Sequence, residues 1–227
     1  RMRSPYVKVF EEERELTAML LIDVSASGKL GSREKSKREL AAELAAVLAF
    51  SAGQNNDKIG AILCSDRIER FIPPKKGRSH ILRIVREIID LEPEGKGTDI
   101  TSALEHFGRV MKKRTIAFLI SDLQDTGFGD VLKRTARRHD LVALQLVDDV
   151  ELQAAKFGWL AATDPESGMA PFIDTSSVRW RKRYTAAAQS FQAELVDSMK
   201  RSGVDHAVLN TAKPYVQPLM QLFDRRG

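Results

Sequence analysis

Cysteine is nearly absent from the 227-residue chain, which contains only Cys64. A single cysteine excludes an internal disulfide, and no Cys or His lies near it at the spacing of a zinc ligand set. Cys64 ends the apolar run Ile59–Cys64, where a buried thiol is unreactive. This cysteine usage is typical of a reducing compartment, and we expect a cytoplasmic protein.

Long apolar runs are also missing. No run approaches the roughly 18 residues that a membrane-spanning helix requires, and the longest candidate, Ala18–Ile22, ends at Asp23. No signal peptide is visible, so we expect no membrane contact from these residues. Aromatic residues make up 7% of the chain, but the hydrophobic content of 43% is enough to bury the core of one domain.

The formal net charge of +5 invites a nucleic-acid interpretation. The basic residues are scattered along the sequence, however, and many alternate with acids. The densest cluster, Arg179–Tyr184, opens a long helical stretch, and a solvated helix face is the simpler interpretation. Binding of nucleic acid through this cluster and Lys75–Arg78 stays an alternative, but we expect no nucleic-acid partner.

Apolar runs of strand length alternate with helix-period segments along most of the chain. Buried strands are predicted at Thr17–Ile22, Lys58–Cys64, Thr115–Ile120 and Asp140–Val147, and a final strand at His206–Leu209. Helices are predicted at Ser32–Ala52, Ser79–Leu91, Asp99–Lys112, Gly129–Arg138, Val178–Ser202 and Tyr215–Arg225. This alternation predicts an α/β fold with a doubly wound, mostly parallel open sheet and helices on both faces.

Three segments depart from this alternation of strands and helices. A short antiparallel edge strand is predicted at Arg67–Ile72, stopped by Pro73 and Pro74. Residues 1–15 are a polar extension with a possible strand at Tyr6–Phe10, and residues 148–177 form a small irregular insertion that contains a hairpin. Residues 16–227 therefore form one domain with that insertion.

Oxygen-bearing side chains follow two of the buried strands and precede the third helix. Asp23, Ser25 and Ser27 come after the first strand, Thr98 precedes the helix, and Asp122 follows the third buried strand. Ligands in open α/β sheets collect at the carboxyl ends of the strands. Carboxylate and hydroxyl oxygens suit Mg²⁺, and also Mn²⁺ or Ca²⁺. We therefore predict one divalent cation with a position open to an Asp or Glu of a partner protein.

Each of these residues has a simpler interpretation as well. The serines and Thr98 are common helix caps, and Asp122 is an ordinary residue after a strand. A magnesium-dependent phosphohydrolase would require a second acid where Ser25 stands, and a two-metal nuclease would require more acids than Asp23, Asp122 and Asp125. No Gly-x-Ser-x-Gly elbow supports a serine hydrolase. We expect a protein without enzymatic activity, with the metal-dependent phosphohydrolase or nuclease as the alternative.

The five predicted ligands resemble the metal-ion-dependent adhesion site of von Willebrand factor A domains. Asp23, Ser25 and Ser27 match its first loop, Thr98 its second and Asp122 its third. The resemblance implies a von Willebrand factor A-like fold and metal-dependent protein binding.

The whole chain resembles a narrower bacterial family, domain of unknown function fifty-eight. The resemblance rests on Tyr6-Val7-Lys8, Glu11–Glu15, Leu21–Ser27, Arg70–Gly77, Gly97-Thr98-Asp99, Phe118–Asp122, Arg137–Asp140 and Pro214-Tyr215-Val216. It implies a partner of the MoxR-type AAA+ ATPase class and a chaperone-like role in protein maturation or assembly. It also implies that the extension at residues 1–15 is truncated.

Overall fold

Strands and helices alternate along the part of the chain that the computed structural model describes, which is residues 16–25, 35–95, 97–152, 158–161 and 172–226. The strands are β1 (Thr17–Asp23), β2 (Lys58–Cys64), β3 (Ile68–Lys75), β4 (Ile116–Ser121), β5 (Asp140–Val147), β6 (Trp159–Ala161), β7 (Phe172–Asp174) and β8 (Asp205–Asn210). The helices are α1 (Lys37–Gln54), α2 (Arg78–Asp90), α3 (Ile100–Val110), α4 (Gly129–Arg138), α5 (Asp149–Leu152), α6 (Val178–Ser202) and α7 (Val216–Asp224).

Six strands form one sheet in the order β3-β2-β1-β4-β5-β8. Strands β2, β1, β4, β5 and β8 pair in parallel, and only β3 runs antiparallel, at one edge. The predicted fold class, including its antiparallel edge strand, is confirmed. Strand β1 lies in the interior of the sheet, and because its side chains are apolar on both faces it requires helices on both sides.

The core has two layers, one on each face of the sheet. Leu20 and Ile22 of β1 pack under α1, α2 and α7, whereas Met19 and Leu21 pack under α3, α4 and α6. Alternation along an extended strand sends successive side chains to opposite faces. The central strand thus joins both layers of the core.

The predicted end of the edge strand before Pro73 is wrong, because β3 continues through Pro73 and Pro74 to Lys75. Proline lacks an amide hydrogen, which matters little where one side of a strand has no partner. The pairing of β3 with β2 is also irregular at this point, with a register shift between Ile59 and Ala61. An edge position and a bulge together accommodate both prolines.

The remaining elements lie outside the main sheet. Strands β6 and β7 pair antiparallel where the sequence predicts a hairpin. The possible strand at Tyr6–Phe10 lies outside the described residues. Within the described segments, no helix has the length and apolar character needed to cross a membrane.

A substitution of Gly60 in β2 tests the close contact between β2 and β3. A methyl group at this position would lie 2.7 Å from the Ile72 carbonyl oxygen and 2.8 Å from the Pro74 nitrogen. Gly60→Ala should therefore lower the free energy of unfolding by roughly 3 kcal/mol in urea denaturation. Gly108→Ala in α3 is the control, because nothing lies within 4 Å of its added methyl. It should raise stability by about 0.5–1 kcal/mol, and equal effects of the two changes would contradict this account.

Candidate metal site

The pairing of β1 with β4 brings two predicted ligands to the same edge of the sheet. Ile22 pairs with Ile120, so the chain after each strand leaves at the same level. One Asp23 carboxylate oxygen accepts the Ser25 amide at 2.9 Å, and the other accepts the Ser121 hydroxyl at 2.8 Å. The loop that contains Asp122 is thereby fastened to the loop that contains Asp23.

The third loop joins them through Thr98. The Thr98 hydroxyl donates to Ser25 Oγ at 2.9 Å, across 73 residues of sequence. The Asp99 amide donates to the Ser65 carbonyl at 2.9 Å, and the Asp99 carboxylate caps α3 by accepting from Ser102 N. Four of the five predicted ligands therefore belong to loops that are in direct contact. Ser27 lies outside the described residues.

Glu69 in β3 holds the loop that presents Thr98. Its carboxylate accepts the Ser65 hydroxyl at 2.5 Å, the Gly95 amide at 2.8 Å and the Glu94 amide at 3.2 Å. Burial raises the pKa of Glu69, but these hydrogen bonds outweigh it and leave the pKa below its ordinary value. A methyl group on Gly95 would collide with the side chains of Ser65 and Asp66. Nothing in the sequence links Glu69 to a loop 25 residues away.

Asp125, which the nuclease alternative would use as a metal ligand, has a structural contact here. One oxygen of its carboxylate accepts the Ile100 amide at 2.8 Å, at the first turn of α3. The negative charge at this helix N-terminus is favourable. Asp125 thus helps to anchor α3 beside the loop of Thr98.

The electrostatics at the strand ends favour a cation. Burial and the nearby Asp122 carboxylate raise the pKa of Asp23, and hydrogen bonds from Ser25 and Ser121 offset only part of that increase. Two partly desolvated carboxylates that repel each other are stabilised by a positive charge between them. With the hydroxyls of Ser25 and Thr98, they form a donor set of hard oxygens. The residues present therefore fit a hard divalent cation.

Lys37, which sequence analysis missed, lies against this site. Its ammonium donates to Asp122 Oδ2 at 2.9 Å and to Glu151 Oε1 at 2.5 Å, and the residue is only 2% exposed. Burial lowers the pKa of Lys37, but the two carboxylates outweigh burial and leave the pKa raised. A signal was available, because Lys37 shares its helix face with Leu40, Leu44 and Leu48. A lysine at an apolar register position is buried with a partner or extends to water.

A cavity of about 420 Å³ opens beside Asp122. It lies between the loop after β4, the end of β5 and one face of α6, and its lining includes Gln124, Glu151, Tyr184 and Phe191. Burial raises the pKa of Tyr184, so its hydroxyl is neutral at physiological pH. The cavity combines apolar walls with an acidic end next to the strand termini.

The four histidines make contacts of other kinds. His80 Nε2 lies 3.0 Å from the Ile59 carbonyl oxygen, and His206 Nε2 lies 3.1 Å from the Gln145 side chain. His106 and His139 pack against phenylalanine rings. Within the described part of the chain, no group of three or more His, Cys, Asp or Glu residues is arranged to hold a metal ion. A metal at the strand ends would therefore depend on hydroxyl oxygens as much as on carboxylates.

This mostly parallel six-stranded sheet, with one antiparallel edge strand and helices on both faces, is a von Willebrand factor A-like α/β fold. Residues 1–194 match the family described as "Protein of unknown function DUF58", and the chain belongs to that family. An uncharacterized protein of Mycobacterium tuberculosis H37Rv is 25% identical over 229 residues, which cover 100% of this chain and 72% of the relative. An uncharacterized protein of Mycobacterium avium is 22% identical over 158 residues, with 68% of this chain and 93% of the relative covered.

Solved structures share the fold. The conserved hypothetical protein BatB from Bacteroides thetaiotaomicron superposes with a TM-score of 0.60 at 15% identity, over 92% of this chain and 98% of BatB. An aerotolerance-related membrane protein from Bacteroides fragilis gives a TM-score of 0.52 at 19% identity, over 76% of this chain and 87% of its own. At these identities the likeness concerns the fold alone.

The pH dependence of stability tests whether the Glu69 carboxylate holds the loop that presents Thr98. Because the folded-state pKa of Glu69 lies below its ordinary value of 4.5, the carboxylate contributes stability above about pH 4.5. That contribution is lost as the pH falls through the folded-state pKa. Glu69→Gln should cost about 1 kcal/mol of unfolding free energy at pH 7, and the difference from the original protein should shrink toward pH 3. The exposed Glu92→Gln is the control, and a difference that stays constant with pH would contradict this role.

Proposed function

We propose that this protein is a metal-dependent protein-binding domain that uses its cation to hold an acidic side chain of a partner. Asp23, Ser25, Ser27, Thr98 and Asp122 would hold the metal, with Mg²⁺ favoured over Mn²⁺ or Ca²⁺. The observation that carries the proposal is the hydrogen bond between Thr98 and Ser25, together with the bond from Ser121 to Asp23. These contacts join three loops that are distant in sequence around two carboxylates.

The chemistry of the donors favours an anionic partner. Hydroxyl ligands donate less negative charge than carboxylates, so a cation held by serine and threonine keeps much of its positive character. Mg²⁺ prefers six oxygen ligands and completes its shell with water or an incoming carboxylate. A partner residue that approaches the strand ends would also meet the cavity beside Asp122, whose apolar walls can receive a neighbouring side chain.

The partner proposed from the family resemblance is a MoxR-type AAA+ ATPase, with a joint role in protein maturation or assembly. An acidic loop of that ATPase, or of a client protein, would supply the carboxylate. The proposed role includes no catalysis.

Metal binding should be measurable by calorimetry with Mg²⁺ alone. At a metal concentration about 100 times Kd, binding should raise the free energy of unfolding by about 2.7 kcal/mol. Asp23→Ala should weaken binding by roughly 100-fold or more, because it removes a charged group of the site. Asp90→Ala, an exposed acid at the end of α2, should leave the affinity unchanged. Equal affinities for Asp23→Ala and Asp90→Ala would refute the assignment of the site.

Partner capture from a lysate of the source bacterium tests the function itself. The intact protein in Mg²⁺ should retain an AAA+ ATPase, and either chelator or Asp23→Ala should reduce its recovery at least fivefold. Asp90→Ala in Mg²⁺ is the matched control. Equal recovery in every sample would show that the metal does not hold the partner.

Magnesium-dependent hydrolysis of a generic phosphoester by the intact protein would contradict the non-enzymatic role.

A further inference from the structure

The position of Lys37 assigns it a role in the proposed metal site. Its ammonium lies 2.9 Å from Asp122 Oδ2, and the residue is 2% exposed. It is the first residue of α1 after the N-cap Ser36, whose hydroxyl accepts the Glu39 amide while the Glu39 carboxylate accepts the Ser36 amide. This capping box fixes the start of the helix. Lys37 is therefore held by the fold beside the carboxylate that a metal would use.

Lys37 also has a second carboxylate. Glu151 accepts from Lys37 at 2.5 Å, and it is itself held by the Gln124 side-chain amide at 3.1 Å and the Asp148 backbone amide at 3.0 Å. These two donors hold Glu151 without a direct bond to Asp122, although the Gln124 backbone amide also donates to Asp122 Oδ1 at 3.2 Å. Glu151 can thus remain the counter-ion of Lys37 when Asp122 is engaged elsewhere.

We propose that Lys37 is a resident cation that competes with the divalent metal for Asp122, and that Glu151 retains Lys37 when the metal binds. This inference rests on the proposed function, because it concerns the same site. A buried positive charge in contact with a metal ligand opposes the entry of a dication, and the opposition is strong where water is excluded. The metal-free site is meanwhile stabilised, because Asp122 is never left as an unpaired buried charge.

The same arrangement favours the acidic group of the partner. With a dication bound, the charges of Asp23, Asp122 and Glu151 are balanced by the metal and Lys37, so the loaded cluster is neutral. Without Lys37 the loaded cluster would carry a net negative charge and repel an incoming carboxylate. Lys37 thus weakens binding of the metal alone and favours binding of the metal together with an acid.

Calorimetric titration with Mg²⁺ alone distinguishes this role from a purely structural ion pair. Lys37→Met should tighten Mg²⁺ binding at least tenfold, because it removes the competing charge and retains the apolar stem. Glu151→Gln should weaken Mg²⁺ binding several-fold, because Lys37 then depends on Asp122 alone. The double variant should bind like Lys37→Met, because Glu151 acts through Lys37.

Lys35→Met is the matched control, since it removes the same charge two residues away where the lysine pairs with Glu43. It should change the affinity less than twofold. Circular dichroism with urea unfolding checks that each variant is folded. If Lys37→Met does not fold, Glu151→Gln, whose side chain is 20% exposed, tests the proposal alone, and an unchanged affinity there would overturn it.

The outcomes also separate this inference from the proposed function. If the original protein binds Mg²⁺ and neither variant changes the affinity, the role of Lys37 is overturned and the metal-binding function stands. If Lys37→Met binds Mg²⁺ and the original protein does not, the competing charge is supported and metal binding by the original protein is overturned. An absence of binding in all variants would overturn both.

Discussion

The parallel pairing of β1 with β4 is the constraint on which the rest of the site depends. It places the ends of two apolar strands side by side, and the polar residues that follow each strand must then share one small volume. Ser121 Oγ bonds to Asp23 because of this pairing, at a sequence separation of 98 residues. The core packs against β1 and β4 on both faces, so the sheet determines where the residues after each strand begin.

Most of the fold could be predicted from local patterns, because apolar runs and helical periodicity are properties of neighbouring residues. Strands β2 and β5 and helices α4 and α6 have the predicted bounds. The continuation of β3 through Pro73 could not be predicted in the same way. Tolerance of proline depends on which side of the strand lacks a partner, and that is settled only when the sheet is assembled.

In the candidate site, too, some features follow from local sequence and others depend on the tertiary fold. The proximity of Asp23, Ser25 and Thr98 could be predicted, because ligands in open α/β sheets collect at the carboxyl ends of the strands. Lys37, Glu69 and Glu151 were missed because each contacts residues far away in sequence: Lys37 and Asp122 are 85 residues apart. A buried charge becomes visible in sequence only through its register on a helix face, and its partner is chosen by the tertiary fold.

Helix α3 begins at the loop that presents Thr98 and ends near the start of β4, at the opposite edge of the sheet. Its first turn is tied to that loop by the Asp99 cap and to the loop after β4 by Asp125. Its 11 residues span about 16 Å. The helix therefore joins the loop of Thr98 to the opposite end of the strands as one regular element. The position of Thr98 relative to the sheet thus depends on how α3 packs against α4, where the Phe107 ring contacts the His139 ring.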